Sequence, residues 1–187
     1  MSSHHIVREN QEPALLVSYY NAIDSEHLGQ LLEWSPTIIT DNENIDFFLA
    51  EGIKVDIFAG DIALIPHQEQ IKHLPIATEF LFDALDYLVA NNYKAVNILL
   101  ETVPNRLLEY ADRINIVCFA EGKRFVIVKE YYEKWKPEGE LIFVDEKHIK
   151  SFTGLAIHDK HTFKTTLDGF SKIEFNTSDY VFLGEII

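Results

Sequence analysis

Asp61 is the residue of this sequence whose position best suits chemistry. It follows Gly60, directly after the apolar stretch Val55–Ala59. A carboxylate at the end of a buried strand can hold Mg²⁺ against the phosphates of a nucleotide, because Mg²⁺ takes one or two carboxylates plus substrate oxygens. The alternative, an aspartate that only shapes a solvated turn, stays open on position alone.

Other familiar catalytic patterns are missing from the sequence. It contains neither the glycine-rich P-loop nor the dinucleotide fingerprint, and no serine stands in a nucleophile elbow. His158 and His161 are three residues apart, but no cysteine accompanies them in a zinc pattern, so solvated surface histidines are expected. The single cysteine, Cys118, lies in an apolar run and is predicted to be a small buried residue rather than a nucleophile.

The first part of the chain alternates strand and helix patterns. Short apolar runs predict strands, and apolar residues at helical spacing predict helices between them. Turn chemistry at Glu121-Gly122-Lys123 joins two further β-rich runs. The strands are expected at Ala14–Ser18, Thr37–Thr40, Val55–Ala59, Ala95–Leu100, Ile114–Ala120 and Arg124–Val128, and the helices at Asp24–Trp34, Asn44–Glu51 and Thr78–Asn92.

This order predicts an α/β fold with a mostly parallel, doubly wound sheet and helices on both faces. Asp24 or Ser25 is expected to cap the first helix, and Thr78 the third. Ligands of such sheets lie beyond the carboxyl ends of the strands, so Gly60, Asp61 and the loop after Leu100 belong to the expected site.

The pattern changes after Trp135. Short β-like runs with turn residues and no long helical pattern follow, at Glu140–Val144, Gly169–Phe175 and Tyr180–Leu183. They predict a small antiparallel β-sandwich. We expect an α/β domain over residues 1–134 and a β-sandwich domain over residues 135–187.

Composition limits the partners. The formal net charge is −14, which argues against nucleic acids and anionic membranes and suits a cationic ligand better than a free nucleotide. No apolar run approaches the length needed to span a bilayer, and residues 1–10 have no apolar core typical of a signal peptide. With one cysteine and no possible internal disulfide, a cytoplasmic location is expected.

Several stretches resemble the thiamine pyrophosphokinase family, in the expected order along nearly the whole chain. They belong to the scaffold rather than to catalytic motifs. The stretches are Ser3–Glu12, Leu28–Pro36, Gly52–Asp56, Lys94–Asn97 and Glu133–Trp135. The resemblance implies a homodimer that transfers the pyrophosphoryl group of ATP to thiamine, with ATP and Mg²⁺ on the α/β domain. It also implies a C-terminal β domain that helps to bind thiamine.

The motifs that the resemblance implies for catalysis are only partly present. The first, Gly-Asp-Phe-Asp-Ser, is here Gly60-Asp61-Ile62-Ala63-Leu64, so the second aspartate is an alanine. The second, Thr-Asp followed by lysine, falls on Glu79 and Phe80, or on Thr78 and Glu79 with a shift of one residue. The lysine falls on Asp83 in the unshifted alignment and is missing either way.

The third motif, Gly-Gly-Arg-x-Asp-His, is replaced by a shorter stretch that ends at Arg106, with no Asp-His pair after it. The loop that would touch thiamine, between His161 and Asp168, is also short. The resemblance thus implies metal ligands at Asp61 and Glu79, and a nucleotide site of Gly60, Asp61, Thr78, Glu79 and Arg106.

Three hypotheses remain. The first is an altered kinase that uses Asp61 and Glu79 for Mg²⁺. The second is a non-catalytic relative that binds thiamine or a similar cationic molecule, or that pairs with another subunit. Trp135, with Tyr131 and Tyr132 beside it, is the candidate for stacking on such a ligand, and packing between the domains is the alternative role. The third is a receiver-like domain phosphorylated at Asp61, which lacks the required acidic pair after the first strand. Loss of the motif residues favours weak or absent catalysis.

Overall fold

The computed structural model describes residues 12–64, 68 and 70–187. Most of the stretch Ser3–Glu12, used above for the resemblance, lies outside them. Within the described residues the helices are α1 (Ser25–Leu32), α2 (Ile45–Ala50) and α3 (Phe80–Ala90). The strands are β1 (Ala14–Val17), β2 (Ile38–Asp41), β3 (Ile57–Ala59), β4 (Lys72–Leu74), β5 (Ala95–Leu99), β6 (Asn115–Ala120), β7 (Lys123–Val128), β8 (Tyr131–Lys136), β9 (Leu141–Phe143), β10 (Ile149–Thr153), β11 (Leu155–Asp159), β12 (Thr162–Thr165), β13 (Gly169–Phe175) and β14 (Val181–Ile186).

Two sheets organise these strands. The larger has the order β11-β12-β9-β14-β7-β6-β5-β1-β2-β3-β4, and the smaller has the order β10-β13-β8. The strands from β4 to β6 pair in parallel, whereas the pairs from β6 through β7 to β11 are antiparallel. The predicted class, a mostly parallel α/β sheet followed by a small antiparallel β-sandwich, is confirmed. The division into domains 1–134 and 135–187 stays a prediction.

Helices cover both faces of the parallel part. On one face α3 buries Leu81, Phe82, Leu85 and Leu88 against alternate residues of the strands. On the other face, α1 and α2 pack against the intervening residues of the strands, and Phe48 of α2 is fully buried there. The strands are therefore apolar on both sides, which is why they read as unbroken apolar runs in the sequence.

Local chemistry fixes the ends of these elements. The Asp24 carboxylate accepts a hydrogen bond from the His27 backbone N–H at 2.9 Å and caps α1, as predicted. The predicted turn between β6 and β7 is also confirmed. Glu121 and Gly122 both have positive φ, 53° and 69°, the backbone conformation of a two-residue type I′ hairpin. Cys118 is fully buried, and burial raises the pKa of its thiol to about 12, which fits the predicted role as a buried residue.

The sandwich has its own core, between the small sheet and the antiparallel part of the large one. It includes Ile142, Phe163, Ile173 and Leu183. Within the described residues, no helix is long and apolar enough to cross a bilayer.

A buried charge network ties the two sheets of the sandwich together. The Glu185 carboxylate, on β14 and only 5% exposed, accepts hydrogen bonds from the Tyr132 hydroxyl at 2.6 Å and from the Lys134 ammonium at 2.8 Å. Lys136 Nζ lies 3.3 Å from Glu185 Oε1, and Arg124 Nη1 lies 3.7 Å from Oε2. Three cations and one hydroxyl thus compensate a carboxylate that water hardly reaches.

Gly184 permits close packing beside this network. A Cβ atom at position 184 would lie 2.8 Å from Phe125 Cε1 and 3.1 Å from Phe143 Cβ. We expect Gly184→Ala to lower the free energy of unfolding by about 1–3 kcal/mol, because the added methyl overpacks the sheet. Urea denaturation measures the change.

Gly29 supplies the matched control, since it lies inside α1 and a Cβ there meets nothing within 4 Å. Gly29→Ala should stabilise the protein by up to about 1 kcal/mol through helix propensity. Similar behaviour of the two variants would contradict the packing role of Gly184.

Candidate functional site

The carboxyl ends of the parallel strands lie at one edge of the sheet, where the candidate residues collect. Ser18 follows β1, Asn42 follows β2, and Gly60 and Asp61 follow β3. The strand order reverses between β1 and β5, which is the place where doubly wound sheets form a ligand crevice. The switch point lies two strands from β3, and the location of the site at this edge stays a prediction.

Asn44 holds this edge together. Its side chain is almost fully buried, and its amide donates to the Ser18 carbonyl at 3.2 Å and to the Asp41 carboxylate at 2.7 Å. Its side-chain oxygen accepts from the Tyr20 backbone N–H at 2.9 Å. The ends of β1 and β2 are thereby fixed to each other, by a residue that the sequence pattern did not single out.

Gly60 lies in close contact with the loop after β2. A Cβ at this position would lie 2.4 Å from Asn42 Oδ1, so the loops after β2 and β3 approach each other through the glycine. The Gly60 carbonyl accepts a hydrogen bond from His73 Nε2 at 2.7 Å, which fixes the loop to β4. The backbone that carries Asp61 is therefore held on two sides.

Asp61 is exposed at this edge. Its Oδ1 accepts a hydrogen bond from the Ala63 backbone N–H at 2.9 Å, at the start of the 3₁₀ turn Ile62–Leu64. The contact engages one oxygen with the turn, and no hydrogen bond or ion pair among the described residues engages the other. Asp61 shapes the turn and remains available as a single carboxylate ligand, so both roles considered from the sequence are compatible with its geometry.

The start of α3 differs from the prediction. Glu79 is the N-cap residue and its side chain makes no capping hydrogen bond, so the expected cap by Thr78 is wrong. Instead Asp83, inside the helix, accepts from the backbone N–H groups of residues 77, 78 and 79 at 2.7–3.2 Å, and from the Thr78 hydroxyl at 3.0 Å. The carboxylate one turn into the helix therefore ties the preceding loop to the first turn, whereas an N-cap side chain would serve amides within that turn.

The charge on Asp83 is stabilised by these contacts. Burial acts to raise the pKa of its carboxyl, but the hydrogen bonds, chiefly those from Thr78, outweigh it and hold the pKa below its ordinary value. Asp83 stands where the unshifted alignment places the lysine of the family motif. An anion with a structural role therefore occupies a position where the resemblance expects a cation.

Arg106 and Glu79 are brought together. Arg106 Nη1 lies 3.9 Å from Glu79 Oε2, a pairing of two predicted site residues that are 27 positions apart. Arg106 also lies on the Phe82 ring, with its guanidinium carbon 4.0 Å from the ring centroid. Phe82 stacks in turn on Tyr110 at 6.0 Å, which joins α3 to the 3₁₀ helix Asn105–Tyr110. Arg106 thus packs this junction, with a carboxylate beside it.

Trp135 lies apart from these groups, on the outer face of the small sheet. It is 55% exposed, and its cross-strand neighbour Phe170 is 61% exposed. Tyr131 is exposed on the same strand, whereas Tyr132 is buried in the sandwich core. In the described part of the chain, no hydrogen bond, ion pair or ring contact joins Trp135 to Asp61, Glu79 or Arg106.

The described residues of this edge supply few metal ligands. Among the described residues, no group of three or more His, Cys, Asp or Glu side chains is arranged to bind a metal. Asp61 offers one carboxylate, and Glu79 lies 3.9 Å from Arg106 Nη1, with both side chains more than half exposed. This donor set fits Mg²⁺ that brings phosphate oxygens and water with it, and does not fit a metal held by protein side chains alone.

Comparison with solved structures identifies the fold. The thiamine pyrophosphokinase from Bacillus subtilis superposes with a TM-score of 0.62 at 13% identity, over 92% of this chain and 97% of that one. The Geobacillus thermodenitrificans enzyme gives 0.65 at 11% identity, over 93% and 96%. The yeast enzyme gives 0.69 at 9% identity, over 98% and 88%. No protein-family model and no curated protein sequence matches the chain significantly. The resemblance seen in the sequence is confirmed at the level of the fold.

Proposed function

We propose that this chain, which has the fold of the thiamine pyrophosphokinases, is a diverged relative of those enzymes. In it, pyrophosphoryl transfer from ATP to thiamine is weak or lost. The observation that carries this proposal is Asp83. In the unshifted alignment it occupies the position of the motif lysine, and it uses its charge to hold the start of α3. Transfer of this kind depends on cations and metal ions that neutralise the phosphates, so an anion there opposes it.

The other edge residues support the same proposal. Asp61 would hold Mg²⁺ bound to ATP, and the metal would supply neutralisation of the phosphate charge. Ala63 removes the second carboxylate of the motif, and Arg106 is engaged by Glu79 and Phe82. Loss of a single stabilising group commonly costs about 10²–10³ in rate. ATP and Mg²⁺ as cofactors, a homodimer and a cytoplasmic location belong to this proposal.

The direct test is formation of thiamine diphosphate from thiamine, ATP and Mg²⁺, followed by chromatography. We expect the rate to lie at least about 10²-fold below that of the Bacillus subtilis enzyme assayed in parallel. Any residual product should disappear in Asp61→Asn, which removes the carboxylate charge and keeps the shape. A rate equal to that of the Bacillus subtilis enzyme would refute the proposal.

The exposed aromatic face of the small sheet favours a second candidate, a non-catalytic relative that binds a thiamine-like cation or pairs with another subunit. Trp135 and Phe170 are cross-strand neighbours, and both rings are largely open to solvent. Flat aromatic faces attract cationic rings by stacking and cation–π contact. The net charge of −14 adds a long-range attraction for the same class of ligand.

Trp135→Ala tests this candidate. We expect the affinity for thiamine, measured by calorimetry, to fall by about tenfold, the size of one desolvated cation–π contact. The free energy of unfolding should change by less than about 1 kcal/mol, because the ring is mostly exposed.

Trp34→Ala is the matched control, since Trp34 is the other tryptophan and is 67% exposed just after α1. Its removal should leave thiamine affinity unchanged. Equal effects of the two substitutions, or a large loss of stability with unchanged affinity in Trp135→Ala, would argue that Trp135 contributes packing and not binding.

A further inference from the structure

A groove with an aromatic floor lies on the α3 face of the large sheet, beyond the 3₁₀ helix Asn105–Tyr110. Three half-buried rings form the floor, namely Phe125 on β7, Phe143 on β9 and Phe182 on β14. The open space above them is about 750 Å³, within the usual range for small-molecule sites. Gly60, Asp61, Thr78, Glu79 and Trp135 do not line it.

The strand register explains the floor. Gly184 is the cross-strand partner of both Phe125 and Phe143. Because it has no side chain, the Phe125 ring and the Phe143 Cβ approach within about 3 Å of where its Cβ would be. Phe182, two residues earlier on the same strand, faces the same side. The sequence therefore places three phenyl rings on the same face of three neighbouring strands, and Asn105 and Leu108 of the 3₁₀ helix line the space beside them.

One cation lies on this floor. Lys123 is 22% exposed in its side chain, and its Nζ lies 4.9 Å from the centroid of the Phe143 ring. Its ion-pair partner is the exposed Glu121, with Nζ 3.5 Å from the carboxylate. This weak, solvent-screened pairing leaves the ammonium able to meet a second anion above the rings.

The side chains at the rim of the groove repel an anion less than the rest of this acidic chain does. Asp145 is held by Lys147 at 2.6 Å, and His161 Nδ1 lies 4.0 Å from its other oxygen. The lining has one further carboxylate, Asp179, and one further cation, Lys123. Two lysines and two aspartates line the groove, so it is formally neutral in a chain whose net charge is −14. Of the two lysines, Lys123 lies at the aromatic floor.

We propose that this groove binds a planar aromatic molecule that carries one anionic group, a carboxylate or a phosphate. The ring lies on Phe125, Phe143 and Phe182, and the anion pairs with Lys123. The ligand differs in charge from the thiamine-like cation proposed for the small sheet, and the inference does not depend on catalysis at Asp61.

Fluorescence or calorimetric titration with 2-naphthoate, 2-naphthyl phosphate and neutral 2-naphthylmethanol tests the proposal. We expect one-to-one saturable binding of at least one of the two anions, at least about tenfold tighter than binding of the alcohol, and which anion binds better identifies the anionic group. Lys123→Gln should weaken the anions by about tenfold, the loss of one charge-assisted contact, and leave the alcohol unchanged. Phe182→Ala should weaken all the ligands that bind.

Two control variants carry comparable changes elsewhere. Lys150→Gln removes an exposed cation on the small sheet, and Trp34→Ala removes an exposed ring just after α1. Neither should alter binding of the naphthalene ligands. No saturable binding to the native protein, equal affinity for anions and alcohol, or equal losses in Lys123→Gln and Lys150→Gln would overturn the proposal, and the lysine variants decide it even if Phe182→Ala fails to fold.

Discussion

Glu185→Ala lowers the free energy of unfolding by about 3 kcal/mol, which corresponds to a fall in Tm of roughly 6–12 °C for a chain of this size. The substitution removes the carboxylate that Tyr132, Lys134 and Lys136 share between the sheets of the sandwich. Lys136, only 6% exposed in its side chain, then loses its buried partner and keeps Glu140. We therefore expect a loss of stability at the lower end of the range known for breaking a buried ion pair. Urea or thermal denaturation measures this loss.

An exposed ion pair in the same sandwich supplies the control. Glu174 pairs with Lys150 at 3.3 Å, but its side chain is 57% exposed. Glu174→Ala should change the free energy of unfolding by no more than about 1 kcal/mol, since water screens such pairs. If the two alanine variants were equally stable, the Glu185 network would contribute no more than a surface ion pair.

The network also sets a dependence of stability on pH. Burial acts to raise the pKa of the Glu185 carboxyl, but the hydrogen bonds from Lys134 and Tyr132 and the nearby lysines hold it below its ordinary value of 4.5. Its contribution is therefore complete above pH 4.5 and is lost as the pH falls through the lowered value. Burial and the bond to Glu185 raise the pKa of Tyr132 above its ordinary value of 10.0. That contribution is complete below pH 10.0 and is lost as the pH rises. Unfolding measured across pH should show both losses reduced in Glu185→Ala.

Much of the α/β part follows from the sequence, because its strands are buried on both faces and its helices are strongly periodic. The four apolar residues in the strand Ala95–Leu99 and the apolar repeat in Phe80–Ala90 leave little choice of structure. β4 escapes prediction since Lys72–Leu74 is a short, polar edge strand that pairs only with β3. β11 escapes for the same reason, with four of its five residues exposed at the other edge.

Only part of the candidate site can be predicted from the sequence. Parallel pairing places Gly60 and Asp61 at the carboxyl edge, so their position follows from the strand pattern alone. The contact between Arg106 and Glu79 depends on where the 3₁₀ helix lies against α3, which no local pattern specifies. The role of Asp83 is harder still to predict, because its partners are backbone amides of the preceding loop. Glu185 likewise meets its partners only because β14 pairs with β7 and because the small sheet places β8 against β14.

Ala63→Asp should strengthen the proposed metal site at the edge of the sheet. Asp61 and Ala63 are both exposed on the turn Ile62–Leu64 or beside it, and Asp61 supplies the carboxylate there. A second carboxylate two residues on gives Mg²⁺ a second ligand of the kind that it prefers. We expect the affinity for Mg²⁺ in the presence of ATP to rise by about tenfold, and the formation of thiamine diphosphate to rise by up to about 10²-fold, the usual effect of one electrostatic group.

Ala63→Asn adds the same volume without the charge and should leave both quantities unchanged. Asp61→Asn combined with Ala63→Asp should return Mg²⁺ affinity to about that of the native protein, because one carboxylate is then present again. A rise in Mg²⁺ affinity without any gain in product would assign the remaining defect to Asp83 and the engaged Arg106, which a metal cannot replace. No change in Mg²⁺ affinity would show that the edge beyond β3 does not bind the metal, and the proposed kinase ancestry of this site would then rest on the fold alone.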